Sequence, residues 1–456
     1  MKKKKVFIVL IFFLFISFLF FIKYNVDHNT DLFFKYKQKI PRDLRVKIRK
    51  NIRKINRFYI YKKDSFSFQK NKKIVLNKNI TGDELILYNN SNLNFTGPRA
   101  YFASNKTNLF LITGTGILMT LPLNELSTKK NNLKFKTIST NLNLFFLEYK
   151  KNNSIYERTS MVKSILKKND SLLVSIVQKF SDNCYKHVIL QGKINYKQIL
   201  FKDFYKINKC RPFYSDYVGG SLADYKNDKI LYTVGDWSIC ENPAWFKNKP
   251  AGFCTQNSAQ NMESTLGKIF EINIFNKTSN IVSIGHDNPQ GILYDKLNDI
   301  IFSAEHGPQG GDEINVNVNP SIKNVKNFGH PISSYGEHYG YPNKDILYKY
   351  KEAPFYKSHK KYNFEEPLEF YVPSIGISDI EKFDNKLLVA SMGSDSAEGD
   401  LSFYIYTLNK KNKIKKKTIH VINQRIRDIH ILKNLVLLYF ESNGTIAIYN
   451  LKNLTT

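Results

Sequence analysis

The chain has 456 residues, is 42% hydrophobic and 14% aromatic, and carries a formal net charge of +30. That apolar content is ordinary for a globular protein, and the length allows one large all-β domain plus a tail, or two to three average domains. Residues 1–80 hold 22 of the 69 Lys+Arg and 4 of the 39 Asp+Glu, a net +18, which leaves +12 for all the rest. With no RNP, helix-turn-helix or zinc-finger pattern, this concentration of the surplus at the amino end argues against nucleic acid as a partner.

Four lysines, Lys2 to Lys5, precede an apolar run from Val6 to Ile22 broken only by Ser17. The run exceeds the usual apolar core of a cleaved signal peptide and lacks a small-residue cleavage site. It reaches the minimum for a bilayer-spanning helix. Residues 1–23 are therefore read as a signal anchor that holds the chain to a membrane, with a cleaved signal peptide as the alternative. Residues 24–80 read as a basic juxtamembrane segment. Within it Leu44, Ile48, Ile52 and Ile55 recur at helical spacing after Pro41, which suits a basic amphipathic helix on anionic lipid or a solvated linker helix.

From residue 81 to residue 456 the pattern changes to short apolar or alternating runs between Gly, Asn, Asp, Ser and Lys turns. Examples are 109–113, 171–177, 229–234, 299–303, 386–391 and 435–440, each five to seven residues long and rich in β-branched and aromatic types. Strands at this density exceed one sandwich and suit a closed radial array of four-stranded blades. The repeat is too degenerate to count blades. The four cysteines, Cys184, Cys210, Cys240 and Cys254, allow three pairings, of which the sequence-local one is Cys184–Cys210 with Cys240–Cys254; unpaired thiols are the alternative.

Three stretches carry unusual densities of turn and polar residues: Gly285-His286-Asp287-Asn288-Pro289-Gln290-Gly291, Glu305-His306-Gly307-Pro308 running to Asn315, and Phe328-Gly329-His330-Pro331. Together with Pro373-Ser374-Ile375-Gly376-Ile377-Ser378 and Arg425-Ile426-Arg427-Asp428, they make residues 210–445 resemble the glucose/sorbosone dehydrogenase family. The resemblance implies a six-bladed β-propeller. It also implies a soluble-type quinoprotein that oxidises an aldose sugar or related polyol with pyrroloquinoline quinone and calcium, working outside the cytoplasm. In that reading the backbone carbonyls of Gly307 and Pro308 hold calcium, and Asn288, Gln290, Ser378, Arg425 and Arg427 hold the quinone. Calcium accepts backbone oxygens, and an Arg pair on one strand face suits carboxylates.

Four positions depart from the family pattern. Tyr217 stands where the family has its catalytic histidine, with Asp236 beside it; a phenol with a reference pKa near 10 is a poor base at neutral pH. Asp287 replaces an arginine and Met392 a lysine, and His330 replaces a bulky aromatic, where a packing role is expected. These departures support a second reading, a catalytically inactive propeller serving as an envelope binding module for a glycan or a protein. A metal-dependent lactonase-type propeller finds no carboxylate cluster in the sequence to support it.

Overall fold

Antiparallel strands that begin and end on turn residues dominate the computed structural model. It describes residues 63–76, 83–90, 93, 99–146, 161–181, 184–211, 214–215, 217–237, 258–338, 353–393 and 401–451. The anchor, the amphipathic segment and the pair Cys240 and Cys254 lie outside these residues. Among the described residues helix is limited to short 3-10 turns, and no helix is long and apolar enough to cross a membrane.

The strands group into six four-stranded sets. The innermost strand of each set is Ala100–Ser104, Val162–Lys168, Gly219–Tyr225, Asn288–Asp295, Ile377–Phe383 or Ile426–Leu432. These six neighbour one another in that order, and the last adjoins the first, so the fold is propeller-like and closed. The chain locks the ring by pairing strands from its two ends. Leu435–Phe440 and Thr445–Asn450 continue the last blade, and the early strand Glu84–Asn89 supplies its outer edge. A further strand, Ser65–Val75, then joins that edge to Asn132–Thr140 of the first blade.

The expected boundary at residue 81 therefore falls too late. The compact unit starts at Lys63, and the stretch Ser65-Phe66-Ser67-Phe68 buries both phenylalanines, 2% and 0% exposed, in strand alternation. Basic residues dominate the segment upstream and hid this short alternating run. Cys184 and Cys210 form a disulfide between strand Cys184–Lys193 and the chain 26 residues on.

Inner strands of neighbouring blades do not share a ladder, so their facing backbone groups need side-chain partners. The sequence supplies them blade by blade. Leu222 N–H donates to Ser164 Oγ at 3.3 Å, and Gly219 N–H to Asn288 Oδ1 at 3.0 Å. Ile375 and Ile377 N–H both reach Asp312 Oδ2, at 3.1 and 2.9 Å. Ser378 Oγ donates to the Ile426 carbonyl at 2.6 Å, and Ile429 N–H to Asp379 Oδ2 at 2.8 Å. Phe102 N–H closes the circuit on Asp428 Oδ2 at 2.7 Å. Apolar clusters fill the spaces between, such as Ile314, Ile377, Ile380, Val389 and Tyr404.

Removing the Asp312 carboxylate strands three buried donors at once, the N–H groups of Ile375, Ile377 and Gly307. Asp312→Ala should cost about 3 kcal/mol or more in chemical denaturation, since a hydrogen bond to a charged group contributes about 1.5–3 kcal/mol; a cost below about 1 kcal/mol would remove the clasp from the account. A second prediction concerns pH. Burial pushes Asp379 up to about 7 and Glu381 up to about 8, so folding favours their neutral forms. A destabilising cost then grows as pH rises from the unfolded carboxylate range near 4 and is complete above pH 8. Asp379→Asn keeps an acceptor for Ile429, so its stability gain over wild type should be larger at pH 8 than at pH 5.

Candidate active site at the ring mouth

In an antiparallel blade the start of the first strand and the end of the second lie at the same end. Tyr217, Asp287, Ser378 and Arg425 sit at or just before inner strands. Asp236, His306, Met392 and Glu441 sit at or just past second strands. The topology thus gathers at one mouth residues that the sequence scatters over 225 positions.

One side of this mouth is acidic. Asp236 N–H donates to the Asp287 carbonyl at 2.7 Å, and Asp236 Oδ2 meets His330 Nε2 at 2.9 Å. Asp236, Asp287 and His330 each offer one ligating atom, and these atoms lie within 4.8 Å of one another, so the trio could hold a metal ion. Asp287 and His330 are 1% and 5% exposed. This corrects the expectation that no carboxylate cluster exists and that His330 serves packing alone. Its members come from three separate loops, which spacing along the chain could not join. Gly235 makes the approach possible: a Cβ there would lie 2.8 Å from the Tyr217 carbonyl and 2.9 Å from that of Asp287. Tyr217, half-buried, is thereby held next to Asp236 through its backbone, and its N–H donates to Ser215 Oγ at 3.1 Å.

Behind Asp287 lies a fully buried polar chain. Ser283 Oγ and His286 Nε2 are 2.7 Å apart, His286 Nδ1 and Glu305 Oε2 are 2.8 Å apart, and Glu305 Oε1 accepts the Asp287 N–H. Burial of Ser283 to 1% gives this triad a holding role, not a nucleophilic one. Burial also pushes Lys268 down to about 7, against the field of Asp236; its ammonium donates to three carbonyls, of Ser258, Ala259 and Leu266.

The other side is basic. Arg425 Nε donates to Glu441 Oε1 at 2.8 Å, and Arg427 Nε to Glu441 Oε2 at 2.7 Å. The two guanidinium groups share a face, as strand alternation implied, yet they already hold an internal carboxylate. Sequence reading missed Glu441, whose only signal was an acid at the end of the last blade's second strand. Arg427, Arg99 and Arg425 overcome its burial and hold Glu441 down at about 2. Arg425 Nη1 also donates to the Met392 and Gly393 carbonyls, so a guanidinium reaches the backbone of the position where the family has a lysine. His306 is half-buried in the fields of Asp312 and this Arg group, and desolvation lowers its pKa.

The remaining expected ligands are tied into the scaffold. Asn288 Oδ1 accepts from Gly219 and, at 2.7 Å, from Gln290 Nε2. The Ser378 hydroxyl donates across blades. The Gly307-Pro308 turn is closed by Gly311 N–H on the Pro308 carbonyl at 2.9 Å, and Gly307 N–H reaches Asp312 at 3.3 Å. A carbonyl has two lone pairs, so the Gly311 hydrogen bond leaves the Pro308 oxygen one lone pair for a cation. The anion cradle for a tricarboxylate quinone is met only in part: the two arginines carry one charge more than the Glu441 they share, whereas the other corner presents Asp287 and Asp236.

Glu441→Gln should destabilise the fold by about 3–5 kcal/mol, the cost of stranding one side of a buried ion pair. The wild type should lose the same stabilisation as pH falls from about 4.5 through 2, the window set by the lowered Glu441 pKa. Equal acid sensitivity in wild type and Glu441→Gln would contradict this.

Comparison with known proteins agrees with this architecture. A solved glucose dehydrogenase superposes with a TM-score of 0.58 at 16% identity, over 78% of this chain and 96% of that one, a likeness of fold. An uncharacterized protein of Synechocystis is 26% identical over 243 residues, 49% of this chain and 53% of its own length. Quinoprotein glucose dehydrogenase B of Acinetobacter calcoaceticus is 29% identical over 145 residues, 28% of this chain and 29% of its own. The chain thus spans about half the length of the first relative and less of the second. The Glucose / Sorbosone dehydrogenase pattern matches residues 149–449, two thirds of the sequence, and the chain belongs to that family.

Proposed function

We propose that the protein is a sugar-oxidising oxidoreductase of the aldose dehydrogenase type with a rebuilt base. The observation that carries this reading is the Asp236–His330 pair at 2.9 Å. A carboxylate-oriented imidazole is the group that proton removal from a sugar hydroxyl requires, and Tyr217 cannot supply it. Asp236 fixes the ring of His330, and the clamp of Glu305 on the Asp287 backbone keeps the third member of the corner in place. Arg425, Arg427 and Glu441 form the facing wall, with a positive excess suited to an anionic cofactor.

Calcium on the Gly307 and Pro308 carbonyls and pyrroloquinoline quinone beside the arginines are the cofactors of this reading; the quinone, when bound, supplies the hydride acceptor. The free lone pair on the Pro308 carbonyl and the charge of the arginines support this reading, and the residues' own work is limited here to binding, orientation and proton removal. Membrane attachment through residues 1–23, with the propeller outside the cytoplasm, belongs to the same proposal and rests on the sequence. The acidic corner and the neutralising Glu441 favour a second reading, a binding module that has left the quinone chemistry behind.

The test is dye reduction by the full chain supplied with quinone and calcium, over a panel of aldoses and polyols. Turnover is expected, with His330→Gln lowering kcat about 10²–10⁴-fold, the usual contribution of a general base. No turnover with any sugar would favour the binding module. Full turnover in His330→Gln would leave the oxidoreductase and remove the rebuilt base.

A further inference from the structure

Buried cations gather on the second blade, beside the acidic corner. Lys163, Lys179 and Arg211 are 5%, 2% and 9% exposed. Lys163 Nζ donates to Tyr214 Oη at 2.9 Å and lies 5.1 Å from that ring; Lys179 lies 5.8 Å from the ring of Tyr185. Arg211 differs from both. Its backbone is pinned to Tyr185 by two hydrogen bonds of 2.8 and 2.9 Å, and the Cys184–Cys210 disulfide ties the residues just before each partner. Its guanidinium makes no hydrogen bond or ion pair with any described residue, and Nη2 is buried without a partner. Next to it His187, 2% exposed, holds Tyr232 Oη at 2.7 Å through Nδ1 and leaves Nε2 buried without a partner.

These groups share one region: the ring of Tyr185, whose backbone pairs with Arg211, lies 6.1 Å from that of Tyr214, the partner of Lys163, and His187 stands two residues further along the same strand. Lys163 and Arg211 both act on His187, whose pKa burial and these two cations lower to about 3, and Arg211 also feels Asp236. A buried guanidinium without an acceptor is costly, and folding tolerates it where an anion completes it. Rigid fixing by a disulfide and a two-bond bridge holds the fork ready at little further entropic cost.

We propose that Arg211, with Lys163 and the Nε2 edge of His187, is a subsite for a carboxylate group beside the Asp236 corner, and that the carboxylate belongs to an acidic sugar substrate. The subsite stands on the geometry; the substrate half rests on the sugar-oxidising reading above. A carboxylate of the quinone has the same chemistry, and the experiment separates the two.

Full-chain protein is titrated with D-glucuronate, with D-glucose as the neutral control, and with pyrroloquinoline quinone in the presence of calcium, by calorimetry. Glucuronate should bind more tightly than glucose, and Arg211→Gln should weaken it about ten- to a hundredfold, as expected for a charged hydrogen-bonded contact of about 1.5–3 kcal/mol. Lys163→Gln gives the same reading should Arg211→Gln fail to fold. If the quinone alone loses affinity in these variants, the anion subsite stands with the cofactor as its source, and the acidic substrate is overturned. If neither ligand is affected in folded variants, the subsite itself is overturned. Dye reduction separates this from the wider reading. Glucose oxidised as well as glucuronate would sink the acidic substrate and leave the dehydrogenase. Glucuronate bound through Arg211 with no sugar oxidised would leave the carboxylate subsite and sink the dehydrogenase, and with it the substrate half of the proposal.

Discussion

The unpaired backbone along the inner strands is the constraint from which the rest of this molecule follows. Six blades can close into a ring only if the facing N–H and C=O groups of neighbouring inner strands find partners away from water. Ser164, Asn288, Asp312, Ser378, Asp379 and Asp428 provide them, each reaching from one blade to the next. Several of these residues belong to the motifs that mark the family. Their fixed order in the sequence therefore reflects ring closure as much as chemistry. Asn288 and Ser378 in particular use their polar atoms on the scaffold.

The same closure gives the mouth its polarity. Because blades begin and turn back at one end, loops from different blades meet there with whatever charges they carry. One side carries Arg99, Arg425 and Arg427 around Glu441, and the other carries Asp236 and Asp287 with His330. Glu441 is the internal anion that lets two guanidinium groups sit close together. His306 stands half-buried in the fields of the arginines and Asp312, and Glu305 next to it holds the Asp287 backbone. Strand Ile300–His306 thus touches both sides of the site.

Much of the fold was legible in the letters. The runs 229–234, 386–391 and 435–440 coincide with strands Lys229–Val234, Lys386–Ser391 and Leu435–Phe440, because short continuous apolar runs between turn residues, buried on both faces, are too short for helices and read as core strands. The strand Ser65–Val75 was not legible: its alternation covers four residues and its partners lie at residues 84–89 and 132–136. The arginine pair was legible through alternation, whereas its counter-ion, 14 residues from Arg427, was not, since only the hairpin between the two strands brings Glu441 back to the same end.

By itself the sequence determined an all-β chain with turn-rich motifs of one family, an amino end of strong positive charge, and the residue types available for binding anions and moving protons. Those properties are local, fixed by side-chain periodicity, turn chemistry and composition. The tertiary structure decided which groups meet: His330 with Asp236 across 94 residues, Glu441 with both arginines, and the Arg211 backbone with Tyr185 while its Nη2 stays buried without an acceptor. Such pairings depend on ring closure, which joins loops distant along the chain, and no spacing in the sequence encodes a contact between separate blades.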